Sequence, residues 1–173
     1  SIRRQRQMCI RDRIHSAFWT TIQLSVSNMM LRCPTSVFVK YETFFKIWSW
    51  EKRGALWNKL FRINKWKHYI PEAAQFNYRI YNKRRLASFK LEDIHFMILE
   101  MRRAELVHWL SMIPIVVFIK APKYILFINV CYVISANLPI ILTRRYNRPR
   151  LEHYYQLRMK RDERTCRKRK SSL

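Results

Sequence analysis

The chain has 173 residues, 49% of them hydrophobic, and its 35 Lys and Arg against 11 Asp and Glu give a formal charge of +24. That is room for one domain with enough apolar residues to bury a core or to cross a bilayer, and the charge points to an anionic partner: lipid headgroups, nucleic acid or a phosphorylated substrate. The single glycine, Gly54, excludes the Walker phosphate loop, the dinucleotide fingerprint and the nucleophile elbow, which need more glycine than this, and disfavours a hairpin-rich sheet.

The elements expected are therefore helices. Residues 1–13, from Ser1 to Arg13, read as a translated adapter remnant of sequence assembly; a basic, acid-poor transit peptide is the competing reading. Residues 14–31 carry no formal charge and have the length of a membrane helix, although His15, Thr20, Gln23 and Asn28 make them weakly apolar. The four cysteines, Cys9, Cys33, Cys131 and Cys166, form no C-x-x-C pair, so unpaired thiols are expected and no metal site.

Residues 40–92 interleave aromatics (Trp48, Trp50, Trp57, Phe61, Trp66) with thirteen Lys or Arg. Two uses fit. Amphipathic segments in the headgroup layer bury the rings while the cations meet phosphates. Single-strand binders stack rings on bases while the cations pair the backbone. Residues 93–142 favour the first. Ala104 to Ile119 holds one acid, Glu105, and Tyr124 to Leu142 is a charge-free run of nineteen residues, ~28 Å as a helix. Between them, Lys120-Ala-Pro-Lys123 marks a tip, and Pro114 should kink the first arm. The expected fold is all-α, an integral membrane protein with a C-terminal helical hairpin, an N-terminal membrane helix and a basic aromatic-rich interfacial segment between them. Residues 143–173 add twelve Lys or Arg, a basic segment and tail, against two Lys at the tip. By the positive-inside rule both basic flanks are cytoplasmic, and the Arg167 to Lys170 run should attract acidic lipid.

Three stretches carry a family resemblance. Trp50-Glu-Lys-Arg-Gly54, continuing into Lys59-Leu-Phe-Arg-Ile-Asn-Lys-Trp-Lys67 and Ile70-Pro-Glu72, is the first. Glu100-Met-Arg-Arg-Ala-Glu-Leu-Val-His-Trp109 is the second. Ala136-Asn-Leu-Pro139 with Arg145-Tyr-Asn-Arg-Pro-Arg-Leu151 is the third. In this order they resemble motifs of the glycosyl-diaponeurosporenoate acyltransferases, small membrane enzymes that finish staphyloxanthin-type carotenoids. Met101 and His68 depart from the pattern, and the tail is longer. The resemblance implies transfer of a fatty acyl group to a sugar hydroxyl of a glycolipid or carotenoid glycoside. It implies no cofactor beyond an acyl donor, such as acyl-CoA or acyl carrier protein, used as co-substrate. The partners expected are an anionic bilayer, a lipophilic glycoside acceptor and that donor.

Such a reaction needs a base for the hydroxyl proton and donors for the oxyanion. On a helix Glu105 and His108 are neighbours, with Arg102 one turn earlier; a carboxylate could set the imidazole tautomer. The bland alternative is that the pair anchors the helix with Arg102 as counter-ion. His95 and Glu100 do not form the familiar acyltransferase box, because residues five apart diverge by roughly 140° on a helix. His15, His68 and His153 read as interfacial or surface residues. No Ser or Cys has a nucleophile's setting, which favours direct transfer. Asn137 could donate to a substrate carbonyl or satisfy a backbone carbonyl freed by Pro139. Tyr146, Asn147, Arg148 and Arg150 are expected in a short rigid turn before and after Pro149. There the guanidinium forks would hold a headgroup or donor phosphate, with Tyr146 at the water interface; a stop-transfer cluster is the alternative. Two other classes stay open, a non-catalytic subunit of a membrane complex and a nucleic-acid binder, the latter disfavoured by the charge-free run.

Overall fold

The computed structural model describes residues 2–70 and 90–171, with side chains from residue 13 onward except those of residues 68 and 171. Pro71 and Glu72 of the first motif, and the side chain of His68, lie outside the described residues. Among the described residues every regular element is helical, in keeping with a chain whose one glycine disfavours tight hairpins.

Helix α1 (Ile2–Leu31) meets no glycine or proline before Pro34, and Pro34 precedes the short α2 (Thr35–Lys40). The hairpin follows the central segment. Its first arm is α5 (Leu91–Met112), with Glu92 and Asp93 in the first turn, where a carboxylate suits the positive end of the helix dipole. Pro114 then tightens the chain into a 3-10 stretch, Ile113–Phe118, because a proline ring clashes with a continuing α-helix. The second arm, α6 (Lys123–Ser171), is one helix of 49 residues. Among the described residues it is the one helix long and apolar enough to cross a membrane, and only 28% of its most apolar stretch is buried inside the protein. Phe127, Ile128 and Ile134 accordingly face outward. That outward apolar face indicates association with a membrane.

The expected first membrane helix is present as helix, but it continues from residues 14–31 back to Ile2 and does not match α6 in apolarity. Its tie to the hairpin is aromatic. Trp19 is buried, stacks on Phe118 with centroids 5.9 Å apart, and donates from Nε1 to Asn129 Oδ1 at 2.8 Å.

The central segment is not a continuous amphipathic helix. It folds as 3-10 turns Glu42–Phe45 and Ser49–Gly54, then α3 (Ala55–Phe61), α4 (Ile63–Trp66) and a turn at Lys67–Tyr69. Extended backbone at Lys46 and Trp48 separates the two 3-10 turns, and left-handed residues make the breaks on either side of α3: Lys52 (φ 47°), Arg53 (φ 56°), Gly54 (φ 82°) and Arg62 (φ 49°). Each non-glycine case costs about 1–2 kcal/mol. Trp48, Trp50 and Phe61 stay exposed, while Trp57 and Trp66 pack against the buried cluster of Ile63, Leu142 and Tyr146. The segment thus docks on α6 with one set of aromatics and offers another outward.

Gly54 makes that docking possible. A Cβ there would lie 2.8 Å from the Arg145 carbonyl oxygen and 3.0 Å from the Tyr146 Cα. The Arg145 carbonyl faces Pro149 one turn on in α6, and proline has no N–H to offer it. A backbone group that the helix cannot satisfy is therefore the one that glycine approaches.

The rigid turn expected around Pro149 does not form. Both Pro139 and Pro149 lie inside α6, because the clusters holding Leu142, Tyr146 and Leu151 grip the helix on both sides of Pro149. Local proline preference loses to packing here.

Candidate functional site

Beyond the apolar run, α5 and α6 face each other through charge. Glu51, carried in by the left-handed turn, is fully buried. It accepts hydrogen bonds from Trp48 N at 3.2 Å, Trp57 Nε1 at 2.6 Å and Arg145 Nε at 3.0 Å. Arg145 also reaches Glu105 through Nη1 at 2.7 Å. Arg148 lies 3.1 Å from the other Glu105 oxygen and 3.5 Å from Glu152. Arg102 closes the series on Glu152 at 3.1 Å and donates to the Phe38 carbonyl at 3.0 Å. Three carboxylates and three guanidiniums alternate, so the charges within the ladder balance, which is the condition for keeping them out of water. Burial alone would raise the Glu51 pKa; the bonds from Arg145, Trp57 and Trp48 outweigh it and hold the carboxyl below its usual value. Lys67, buried beside the Tyr146 ring, is pushed down by burial and by the nearby charge of Arg150.

This ladder revises several expected roles. Arg102 is the partner of Glu152, not the counter-ion of Glu105. Glu105 is engaged by Arg145 and Arg148, so it is a member of the ladder and not the group that orients His108. Arg148 is 1% exposed and spent on carboxylates, which leaves no outward fork. Its contact with Glu105 is close as an ion pair, yet misaligned as a hydrogen bond, since neither Arg148 Nη2 nor Glu105 Oε2 finds a hydrogen-bond partner. Tyr146 is buried and donates to Asn64 Oδ1 at 2.6 Å instead of meeting water. Asn147 is buried inside α6 and caps no turn. Arg150 is exposed, its guanidinium carbon 3.9 Å from the Tyr146 ring centroid. The Arg145 to Leu151 part of the third motif is a packing seam.

Glu51 and Arg145 were the residues that sequence reasoning passed over. The available signal was scarcity: with 11 acids in the chain, an acid inside a basic segment marks a place where a cation has to be met.

A second polar group lies on the other side of the ladder, towards the apolar arms. His108 Nδ1 sits 2.9 Å from Asn137 Oδ1, and Asn137 Nδ2 donates to the Val133 carbonyl at 3.0 Å. The amide is thus pinned through its nitrogen, and its oxygen can only accept. Nδ1 of His108 therefore carries the proton and Nε2 is the basic nitrogen. The group beside Nδ1 is this amide and not the Glu105 carboxylate. Asn137 does satisfy a backbone carbonyl, but that of Val133; the carbonyl facing Pro139 one turn back belongs to Ser135.

His108 and Asn137 border a cleft of about 310 Å³ closed on one side by α1 (Trp19, Thr20, Gln23, Leu24) and on the other by Tyr132, Ala136 and Ile140 of α6. Ser111 also lines it, with its hydroxyl donating to the Val107 carbonyl at 2.8 Å. The wall mixes apolar side chains (Leu24, Ala136, Ile140) and two aromatics with the polar Thr20, Gln23, His108, Ser111 and Asn137, a lining that can hold both a greasy chain and a polar headgroup. Among the described residues no group of His, Cys, Asp and Glu has the makings of a metal site. The arrangement can take a proton from a hydroxyl beside a greasy surface.

Comparison with known proteins adds family evidence. The family described as glycosyl-4,4'-diaponeurosporenoate acyltransferase matches residues 41–157. A protein of that name from Staphylococcus haemolyticus is 98% identical over 160 residues, 92% of this chain and 94% of the relative. Proteins of the same name from Staphylococcus aureus strains USA300 and MRSA252 are 41% and 40% identical over 149 residues, 86% of this chain and 90% of each relative. No solved structure matches.

Proposed function

Because the chain belongs to the glycosyl-4,4'-diaponeurosporenoate acyltransferase family, we propose that it moves a fatty acyl group to a sugar hydroxyl of a carotenoid glycoside dissolved in the membrane. The observation that carries the mechanism is the His108–Asn137 pair on a cleft between α1 and the apolar part of α6. A base with its tautomer set in advance, beside a lipid-facing helix, suits an acceptor whose polyene lies in the bilayer and whose sugar reaches the cleft.

In this reading the donor is an activated acyl thioester. His108 Nε2 takes the proton as the sugar oxygen attacks the acyl carbonyl carbon. The new C–O ester bond forms, the C–S bond breaks, and the proton passes from the imidazolium to the departing thiolate. Asn137 steadies the imidazolium through its amide oxygen, a positioning role. Only the two substrates are required, and transfer is direct. The basic flanks face the cytoplasm, the side with the excess of Lys and Arg, and meet acidic headgroups there.

The test is ester formation by the purified protein in nanodiscs, with the glycosyl carotenoid and an isotopically labelled acyl thioester, read by mass spectrometry. A labelled monoester is expected. A product lacking the label, or no product from a folded, inserted protein, would overturn the reading.

A further inference from the structure

A second cavity, of about 460 Å³, opens at the charged end of the hairpin and shares none of its lining with the His108 cleft. We propose that it is a phosphate site, built where Lys46 and Arg53 of the central segment converge on Arg102 and His153 of the hairpin, and that it holds the phosphorylated end of the acyl donor.

Three observations carry this. First, Lys46 and Arg53 both line the cavity, and among the described residues neither side chain has a carboxylate partner, in contrast with the paired guanidiniums beneath them. Second, Arg102 lines the same cavity, is mostly buried, and keeps a buried Nε without a hydrogen-bond partner. Of the two acids at the wall, Glu152 is already held by Arg102 and Arg148, and Glu42 is largely exposed and 3.8 Å from Arg102. Third, Arg53 is delivered by left-handed backbone at Lys52 and Arg53. Strained conformations of this kind persist where the surroundings over-determine them and concentrate at ligand sites. The cations are the fork and point-charge types that bind phosphate oxygens.

The proposal rests on the acyltransferase reading for the choice of donor, and on the cavity alone for the choice of phosphate. Thioester carriers bear a phosphate at a distance from the reacting sulfur. On α5, Arg102 stands ~9 Å along the axis from His108; on α6, Pro149, which also lines the cavity, stands ~18 Å from Asn137. The separation suits a long flexible arm between phosphate and thioester. An anionic lipid headgroup would offer the same phosphate chemistry from the bilayer, and the experiment separates the two.

The probes are coenzyme A, measured by calorimetry against the full chain in nanodiscs of neutral lipid, and phosphatidylglycerol, counted by native mass spectrometry on protein purified from mixed lipid. We expect coenzyme A to bind, and Lys46→Ala/Arg53→Ala to weaken it at least tenfold. The control Lys59→Ala/Arg62→Ala removes equal charge elsewhere and should stay within twofold. His108→Ala should bind coenzyme A normally, so binding is read whether or not the protein turns over. Loss of retained phosphatidylglycerol in Lys46→Ala/Arg53→Ala, with no coenzyme A binding by the parent, would keep the phosphate site but overturn its assignment to the donor. Equal losses in test and control variants, or binding of neither probe, would overturn the site itself.

Discussion

In the proposed mechanism, His108 depends on one atom of Asn137. With Oδ1 accepting from Nδ1, the imidazole presents Nε2 as base; remove that acceptor and the ring is free to hold the other tautomer or turn. His108→Ala should therefore lower turnover by about 10²- to 10⁴-fold, the usual contribution of a general base, while thermal unfolding stays within a few degrees of the parent. Asn137→Leu should cut kcat as well, with little change in KM for either substrate, and Asn137→Asp should shift the pH profile of kcat upward because a carboxylate favours the imidazolium. A His108→Ala protein with normal turnover would leave the cleft without its base. Gly54 poses a residue-scale question of another sort. Gly54→Ala places a methyl group 2.8 Å from the Arg145 carbonyl oxygen at a backbone angle that alanine resists. It should cost more than ~1 kcal/mol, visible as a lower unfolding midpoint in detergent. Glu105, Asn137 and His108 were all legible as polar residues in an apolar setting. Their pairing was not, because i, i+3 spacing shows which side chains can meet, whereas the partner on α6 is 29 residues away from His108.

The charged ladder belongs to the scale of elements, since it joins the central segment, α5 and α6. Arg145 is its hinge, holding both Glu51 and Glu105. Arg145→Met would strand the buried Glu51 and leave Glu105 with Arg148 alone, and should destabilise the protein by about 3–5 kcal/mol, the range for breaking a buried pair. Replacing both partners at once, Arg145→Met with Glu51→Gln, should recover part of that loss. The pH response follows from Glu51. Its folded pKa lies below 4.5, so the stability it contributes is fully present above the unfolded value and is lost as pH falls through the folded one. Unfolding midpoints measured from pH 7 down to pH 3 should be flat at first and then fall below about 4.5. A flat response in Glu51→Gln would assign the fall to this carboxylate. At this scale the sequence was most readable for the hairpin: an apolar run, a tip with proline and lysines, and a second apolar run specify it by length and hydropathy. It was least readable around Pro149. A rule about the residue before proline is local, and tertiary packing of Tyr146 and Leu151 on either side overrode it.

At the scale of the molecule, polar ladder and apolar arms divide the hairpin into two zones, with His108 on the apolar side and, on the other, Lys46 and Arg53, which have no carboxylate partner among the described residues. A protein arranged this way should resist extraction: carbonate or high-salt washing ought to leave it in the membrane fraction, while a protein held by charge alone would be released. The all-helical architecture was predictable from one glycine and long uninterrupted segments. The folding of the central segment into short pieces was not, because its direction is set by non-glycine residues at positive φ, which leave no mark in composition.

The continuity of α6 has a geometric consequence. Its 49 residues make a rod about 74 Å long, more than twice the roughly 30 Å of hydrocarbon in a bilayer. Lys170 lies about 42 Å along the axis past Leu142. Standing upright, the rod carries the Arg167 to Lys170 charges about four screening lengths clear of the headgroups at physiological salt, beyond the reach of their potential; lying flat, it lays the same charges on them. The last turns of α6 thus work as a tilt gauge. A fluorophore at Cys166, which is exposed, would read the angle as its distance from a lipid-bound quencher, and titrating anionic lipid would show whether the rod leans.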